Sequence, residues 1–411
     1  MAVNPFCTTT VNASISGVTI RFGRNTTPRN LVTFAHTGGG LDVCGVGAQT
    51  FTMTNVVVDQ NTVTLTYGGG VNMDSIMGTT GTFSIINSTI SNNRTTGTPG
   101  GLITTGGGLN LQGDAHNVNV TNSTISGNTS TTAGGGIHVS HTNGGAITIS
   151  GTTISGNTAG SRGGGISSEN QLASSLTINN DSAIVNNVSQ GTVSGTESRG
   201  GGISINSGVG TNTTTITEVT ITGNQANTGT FQAGGGIAAM AGTVNASFNR
   251  IAGNLVGTGG GSGIHNGGPN TFGATINAAN NWWGCNAGPG AAPCDRSTNL
   301  TGTLVVTPQL TMRHSASPST IVVGQTSTLT ADFLQNSTPA AVALANLDAI
   351  IGTPIAFNIA VRGTISAAQT TVQSNGTATA TFTGTSVGAG SASSVVDSQT
   401  MAAALTINKA N

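Results

Sequence analysis

The chain is poor in charge. Of its 411 residues only 6% are Asp, Glu, Lys or Arg, against about 25% in an ordinary soluble domain. Its single lysine is Lys409. The formal net charge is -1, so there is no basic face for nucleic acid or an anionic bilayer, and neither is an expected partner. No apolar run reaches the roughly 18 residues that a membrane-spanning helix needs, and no membrane insertion is expected. Strong helix formers are scarce in most of the chain, which is built of Thr, Ser, Asn, Ile, Val and Gly. That excludes the helical repeat architectures. No Gly-Lys-Ser/Thr follows any glycine cluster, so there is no phosphate loop. No nucleophile of the Gly-x-Ser-x-Gly type is set on a strand–helix turn.

What is present is a repeat. In TISGNTAGSRGGGISS, Thr153 to Ser168, an aliphatic strand leads to Asn157, and a glycine triplet leads to Ile166. Triplets begin at Gly38, Gly68, Gly106, Gly134, Gly163, Gly200, Gly234 and Gly259. The asparagine recurs at Asn61, Asn93, Asn128, Asn157, Asn187, Asn224 and Asn254, at spacings of 32, 35, 29, 30, 37 and 30. Such a period means one supersecondary unit per repeat with loops of variable length. The runs alternate with a period of two: Ile147 and Ile149 fall on one face, Thr148 and Ser150 on the other. One repeat cannot bury that aliphatic face alone, but a coil of stacked repeats can. The expected fold is all-β, a parallel β-solenoid of two or three strands per turn. Roughly eight turns at ~4.8 Å make a core about 40 Å long. The asparagines and glycines are expected to take the positive-φ bends. Stacked asparagines are expected to hydrogen-bond from turn to turn.

With TISGNTA followed by GGGI, residues of roughly 10 to 285 resemble the right-handed parallel β-helix repeats of bacterial surface proteins. They are also similar to the GGAI and FxxN repeats of polymorphic outer-membrane proteins, with Ile at the Phe position. The resemblance implies a right-handed coil; it does not imply one activity, because such repeats occur in adhesins, filaments and enzymes.

Four cysteines pair by spacing. Cys285 and Cys294 bracket a short loop, and Cys7 and Cys44 lie one long repeat apart, so the expected disulfides are Cys7–Cys44 and Cys285–Cys294. The alternative, a metal site, lacks Cys-x-x-Cys spacing. Disulfides and the absence of a visible signal peptide point to a processed form of an exported, extracellular protein. Trp282 and Trp283, in NNWWGCNAGPGAAPCD, are expected to plug the last turn; one of them facing outward would instead suit a sugar ring. The segment resembles the end of bacterial β-helix surface proteins, which favours the plug.

From about Leu310 the triplets stop. Strand-like runs such as GTPIAFNIAVRGTIS, NGTATATFTG and MAAALTIN, with turn signals such as Asn375-Gly376 between them, give the pattern of an antiparallel sandwich of about 95 residues. These runs resemble immunoglobulin-like domains of the invasin and intimin type. The expected division is a solenoid over 1–280, a Trp and disulfide cap with linker over 281–310, and a sandwich over 311–411, with the joint near Pro318.

A catalytic site has few candidates. Glycosidases need paired carboxylates, and the nearest to a cluster are Glu169, Asp181, Glu197 and Glu218. Arg162 and Arg199 each precede a triplet and are expected in one column, paired in solvent with Glu169 and Glu197. These four form the candidate ligand patch. His138 and His265 follow the triplet isoleucine, so alternation turns them outward, and His141 faces opposite to His138. An ice-binding reading of the Thr-x-Thr runs fails because the motif is not kept in every turn. The expected function is therefore non-catalytic, without cofactor or metal: a cell-surface fibre subunit or adhesin stalk that pairs with itself through strands at its ends. A glycan-binding adhesin is the alternative partner reading, and a polysaccharide lyase or glycosidase the catalytic one.

Overall fold

The computed structural model describes residues 2–3, 10, 12–26, 38–45, 47–64, 66–75, 80–97, 104–114, 116–169, 173–192, 197–206, 212–227, 231–257, 261–268, 273–290 and 292–410. Among them there is no α-helix, and the one helical turn is a 3-10 turn at Leu344–Asn346. The chain forms two compact units.

The first unit comprises Met1–Ser247, Gly253–Ala278 and Ser297–Val305. Each regular turn passes through four short strands. One turn is Ile137–Asn143, Ala146–Ser150, Thr153–Ser155 and Thr158–Ala159. The next is Ile166–Ser168, Ser175–Asn179, Ala183–Val185 and Val188–Ser189. Equivalent strands pair in parallel and in register: Ile137 with Ile166, Ile147 with Leu176, Ile154 with Ile184, Thr158 with Val188. The result is a parallel β-solenoid whose first and second sheets each hold ten strands. The fourth strand of a turn is often only two residues long, too short for alternation to reveal it in the sequence.

The core is a set of vertical files. In the first sheet Leu109, Ile137, Ile166, Ile203 and Ile237 follow one another, all fully buried. Each such side chain contributes roughly 1.5–3 kcal/mol of burial. The intervening Thr and Ser residues of the second sheet point outward, which gives the alternating burial of Ala146–Ser150.

The bends divide their labour differently from the expectation. The ladder asparagines do not take the positive φ. The residue before each one does: Gln60 at 57°, Asn92 at 54°, Gly127 at 64°, Gly156 at 62°, Asn186 at 56°, Gly223 at 66° and Gly253 at 68°. This frees the next asparagine side chain to turn inward. In the triplet at 163–165 the first glycine is the left-handed one, at φ 61°. The second is needed for a different reason: a Cβ on Gly164 would lie 2.5 Å from the Gly201 carbonyl oxygen and from Val188 backbone. The triplet that begins at Gly259 falls partly outside the described residues.

The second unit comprises Phe248–Ala252, Ala279–Arg296 and Val306–Asn411. It contains two four-stranded sheets. One orders Leu310–Ser317, Thr326–Asn336, Thr377–Gly384 and Gly363–Ser366; the other orders Thr320–Val322, Gln399–Asn408, Gly388–Val396 and Ala356–Val361. Neighbours are antiparallel, except that Thr320–Val322 runs parallel to Gln399–Asn408. Side chains of both sheets share a core of Ile321, Leu329, Phe382, Leu405 and Ile407. A second core surrounds Phe333 and includes Trp282. Pro318 is not a joint between units: it lies inside this one, where the chain passes from the first of these sheets to the other.

Candidate functional site

The most highly organised polar feature is the ladder of seven asparagines in the first unit. The backbone N–H and the Nδ2 of Asn128 both donate to Oδ1 of Asn157, at 2.9 and 3.0 Å. Asn157 repeats this onto Asn187, and Asn187 onto Asn224. The same pairing joins Asn61 to Asn93, Asn93 to Asn128, and Asn224 to Asn254. The remaining amide hydrogen bonds back across the bend, Asn157 to the Ile125 carbonyl at 2.9 Å and Asn187 to that of Ile154 at 2.9 Å. From Asn61 to Asn224 each amide is thus saturated without water, and all seven are at most 2% exposed.

A second ladder was not legible in the sequence. At the preceding bend the Val56 N–H donates to Ser88 Oγ, Ser88 N–H to Ser123 Oγ, Ser123 N–H to Thr152 Oγ1 and Thr152 N–H to Ser182 Oγ. Ser and Thr are so common here that their recurrence at one position carried no signal. Buried Asp59 was missed as well. Burial alone would raise its carboxyl, but Asn92 and Ser91 each donate at 2.9 Å and Arg21 pairs with it, which holds it below the ordinary value. Those donors come from neighbouring turns, up to 38 residues away.

The outward side of the first sheet carries the candidate ligand patch. Asp42, Asn72, Asn110, His138, Ser167 and Ser204 stand in one file through in-register pairing. Alternation does turn His138 outward, but it is only 5% exposed, and His265 is fully buried. The outward face is roofed by the chain approaching the triplets, where Thr105, Ala133, Arg162 and Arg199 form a further column of bridges. Arg162 and Arg199 are therefore in one column, and Arg162 pairs with Glu169 at 3.2 Å. Arg199 is not solvated as expected. It is 4% exposed and its guanidinium lies 5.6 Å from the Phe231 ring centroid, which in turn stands edge-on to His265 at 5.4 Å. Glu197 opens the strand Glu197–Arg199, and its side chain lies outside the described residues.

Burial pushes three histidines down: His138 to about 4, with Glu169 acting upward and Arg162 downward; His141 to about 3, helped by His116; and His265 to about 4. His141 stacks edge-on against His116 at 4.5 Å, and His116 against Phe83 at 4.8 Å. Asp181 and Glu218 lie elsewhere, at the bend between the second and third sheets, where the Asp181 N–H donates to the Glu218 carbonyl. The four carboxylates named from the sequence are not brought to one place among the described residues.

Cys285 and Cys294 form a disulfide with Cα atoms 5.1 Å apart. Cys44 is buried; its expected partner, Cys7, lies outside the described residues. Trp282 and Trp283 are both fully buried, so neither offers a face to a sugar. Trp282 meets Phe333 edge-on at 5.0 Å within the second unit.

No family model matches the chain, and no curated relative matches it. Among solved structures it is similar to the adhesin InvE of Yersinia pseudotuberculosis, at 26% identity, over 24% of this chain and 26% of that one, with a TM-score of 0.19. The chain thus spans about a quarter of that adhesin's length, and a likeness of this degree does not bear on the reading of the site.

Proposed function

We propose that this chain is a non-catalytic, extracellular structural protein, a subunit of a cell-surface fibre or an adhesin stalk. The reading takes the solenoid as right-handed and the eight-stranded sandwich as an immunoglobulin-like module. The observation that carries it is the asparagine ladder: each turn is fixed to the next by buried side-chain bonds as well as by the backbone. Such a stack resists bending and fraying, which suits a spacer. The Cys285–Cys294 disulfide supports an oxidising compartment.

Self-association is part of the proposal. Ala13, Ile15 and Ile20, on the first described turn, are only half-buried, whereas their partners Phe51, Met53 and Val58 in the next turn are at most 1% exposed. Among the described residues no strand pairs with the outer edge of this turn, and such a parallel edge with apolar side chains invites strand addition by a second copy. Electron microscopy of the purified chain tests this. Filaments that lengthen with concentration and vanish with Ile15→Lys are expected. Single particles at every concentration would remove the fibre version. The catalytic alternative is tested by incubation with polyuronides and neutral glycans; cleavage lost on Glu197→Gln would replace the structural reading with an enzymatic one. A second reading, glycan binding without cleavage, is favoured by a groove across the first three described turns.

A further inference from the structure

The left-handed bend position before the ladder asparagine is held by Gly or Asn in most turns, but in the first by Phe22, at φ 56°. An L-residue in this region costs roughly 1–2 kcal/mol, and a bulky one finds no local hydrogen bond in return. Packing does not offset the cost, because Phe22 is 71% exposed. At equivalent bends a built Cβ meets either nothing within 4 Å, as on Gly253, or first the side-chain oxygen of an asparagine in the neighbouring turn, as on Gly127 and Gly223. The fold therefore gains nothing from this ring, which is left as a contact surface.

What lies beside it is chemically specific. Phe22 borders an open groove of about 340 Å³, together with Arg24, Gln60, Thr62, Thr64 and Thr96. The floor is the outward side of the fourth sheet, where Arg24 pairs with Thr62 and Thr64 with Thr96. Val63, between the two threonines, points into the core, so both hydroxyls are committed to the surface. Thr64 and Thr96 are linked Oγ1 to Oγ1 at 3.0 Å. That fixes their rotamers and still leaves each oxygen acceptor capacity. Arg24 is exposed and makes no ion pair among the described residues. No carboxylate lines the groove.

We propose that this groove binds the end of an acidic oligosaccharide. The exposed face of Phe22 accepts the C–H face of a pyranose ring. The threonine hydroxyls and the Gln60 amide exchange hydrogen bonds with sugar hydroxyls. The Arg24 guanidinium takes the carboxylate of a uronic- or sialic-type sugar in a two-pronged bond. The volume sits at the lower end of the range of about 300–1,000 Å³ usual for ligand sites, so a chain terminus fits better than a long polymer laid along the stack. The site rests on the glycan-binding reading and is independent of whether copies assemble into a fibre.

The test uses the full chain on an array of neutral and carboxylate-bearing oligosaccharides, followed by calorimetric titration of the best ligand. Binding of acid-terminated saccharides is expected, weakened at least tenfold by Phe22→Gly. Because glycine is at ease at this φ, the same variant should melt at or above the temperature of the unaltered chain. Loss of binding then cannot be attributed to unfolding. Arg24→Gln should weaken the acidic ligand tenfold while leaving its neutral analogue unchanged. An array with no bound saccharide, binding confined to neutral sugars, or unaltered affinity in Phe22→Gly would each overturn the assignment. Filament formation is scored separately by microscopy, so failure of the groove and failure of the fibre are distinguishable.

Discussion

Asp397 accepts the indole N–H of Trp282 on Oδ2 at 2.7 Å. The two residues are 115 apart in sequence. The same carboxylate takes the Arg250 guanidinium on both of its oxygens. Asp397 sits at φ 49° in the tight turn joining Gly388–Val396 to Gln399–Asn408. One hairpin tip thus draws together two remote parts of the second unit's chain, with the Arg250 and Asp397 side chains only 17% and 12% exposed.

Removing this carboxylate should be costly. Asp397→Ala leaves a largely buried guanidinium and a buried indole N–H without their acceptor, a loss of about 3–5 kcal/mol when one partner of a buried pair is deleted. Trp282 and Trp283 are the only tryptophans of the chain and both lie in the second unit. Their fluorescence in urea titrations therefore reports this unit alone. A midpoint unchanged in Asp397→Ala would show that the node contributes nothing to stability.

The asparagine ladder and the bend beside it should respond very unequally. Asn157→Ala strips acceptors from the Asn128 N–H and Nδ2, and a donor from the Ile125 carbonyl. With about 1–3 kcal/mol for each buried group left unsatisfied, a loss of about 3 kcal/mol or more is expected. Asn186→Gly, one residue before the next rung, should stay within about 0.5 kcal/mol, because φ there is already 56° and glycine adopts it freely. Thermal unfolding followed by far-ultraviolet circular dichroism compares the two. Equal losses would mean that the ladder is no more than another bend.

The coil was legible because two kinds of mark repeat where nothing else does. Asn128, Asn157 and Asn187 are evenly spaced, and only stacking explains both the spacing and the residue type. The strand Ala146–Ser150 was legible from alternation alone. Side-chain environment was less accessible. Alternation correctly turned His138 out of the core, but a two-residue period cannot show that other segments return to cover it. Arg199 read as a solvated charge for the same reason: its partner Phe231 comes from the next turn. The Phe22 groove left no mark, because one aromatic becomes significant only when its backbone angle and exposure are known.

The short disulfide loop gives a bounded effect. Cys285 and Cys294 close a loop at a separation of nine residues, for which chain entropy predicts about 2.5 kcal/mol. Reduction, or a Cys285→Ser/Cys294→Ser pair, should lower the unfolding free energy of the tryptophan-reported urea transition by that amount, seen as a lower midpoint at unchanged slope. Circular dichroism of the solenoid should change little at its own transition. If the tryptophan transition does not move, the bridge does not stabilise the unit that contains it.

The buried histidines make the solenoid sensitive to acid. His138 and His265 are lowered from 6.5 to about 4 and His141 to about 3, in each case first by burial. A histidine whose folded pKa lies below its unfolded value binds its proton more readily when the chain unfolds. Its full contribution to stability is therefore present above pH 6.5 and is lost as pH falls toward 4. Between pH 7 and pH 5 the loss is on the order of 2 kcal/mol for each such histidine. The groups that face them act less strongly than burial: Glu169 and Arg162 at His138, His116 at His141, Arg199 at His265. Urea titrations by circular dichroism at pH 7, 6 and 5 should show stability falling steadily. His141→Phe keeps an aromatic ring against His116 and removes the ionisable group with the lowest pKa of the three. It should flatten the curve by about a third, the share of one histidine among three. A variant that loses stability equally at every pH would show that His141 matters for packing and not for the response to acid.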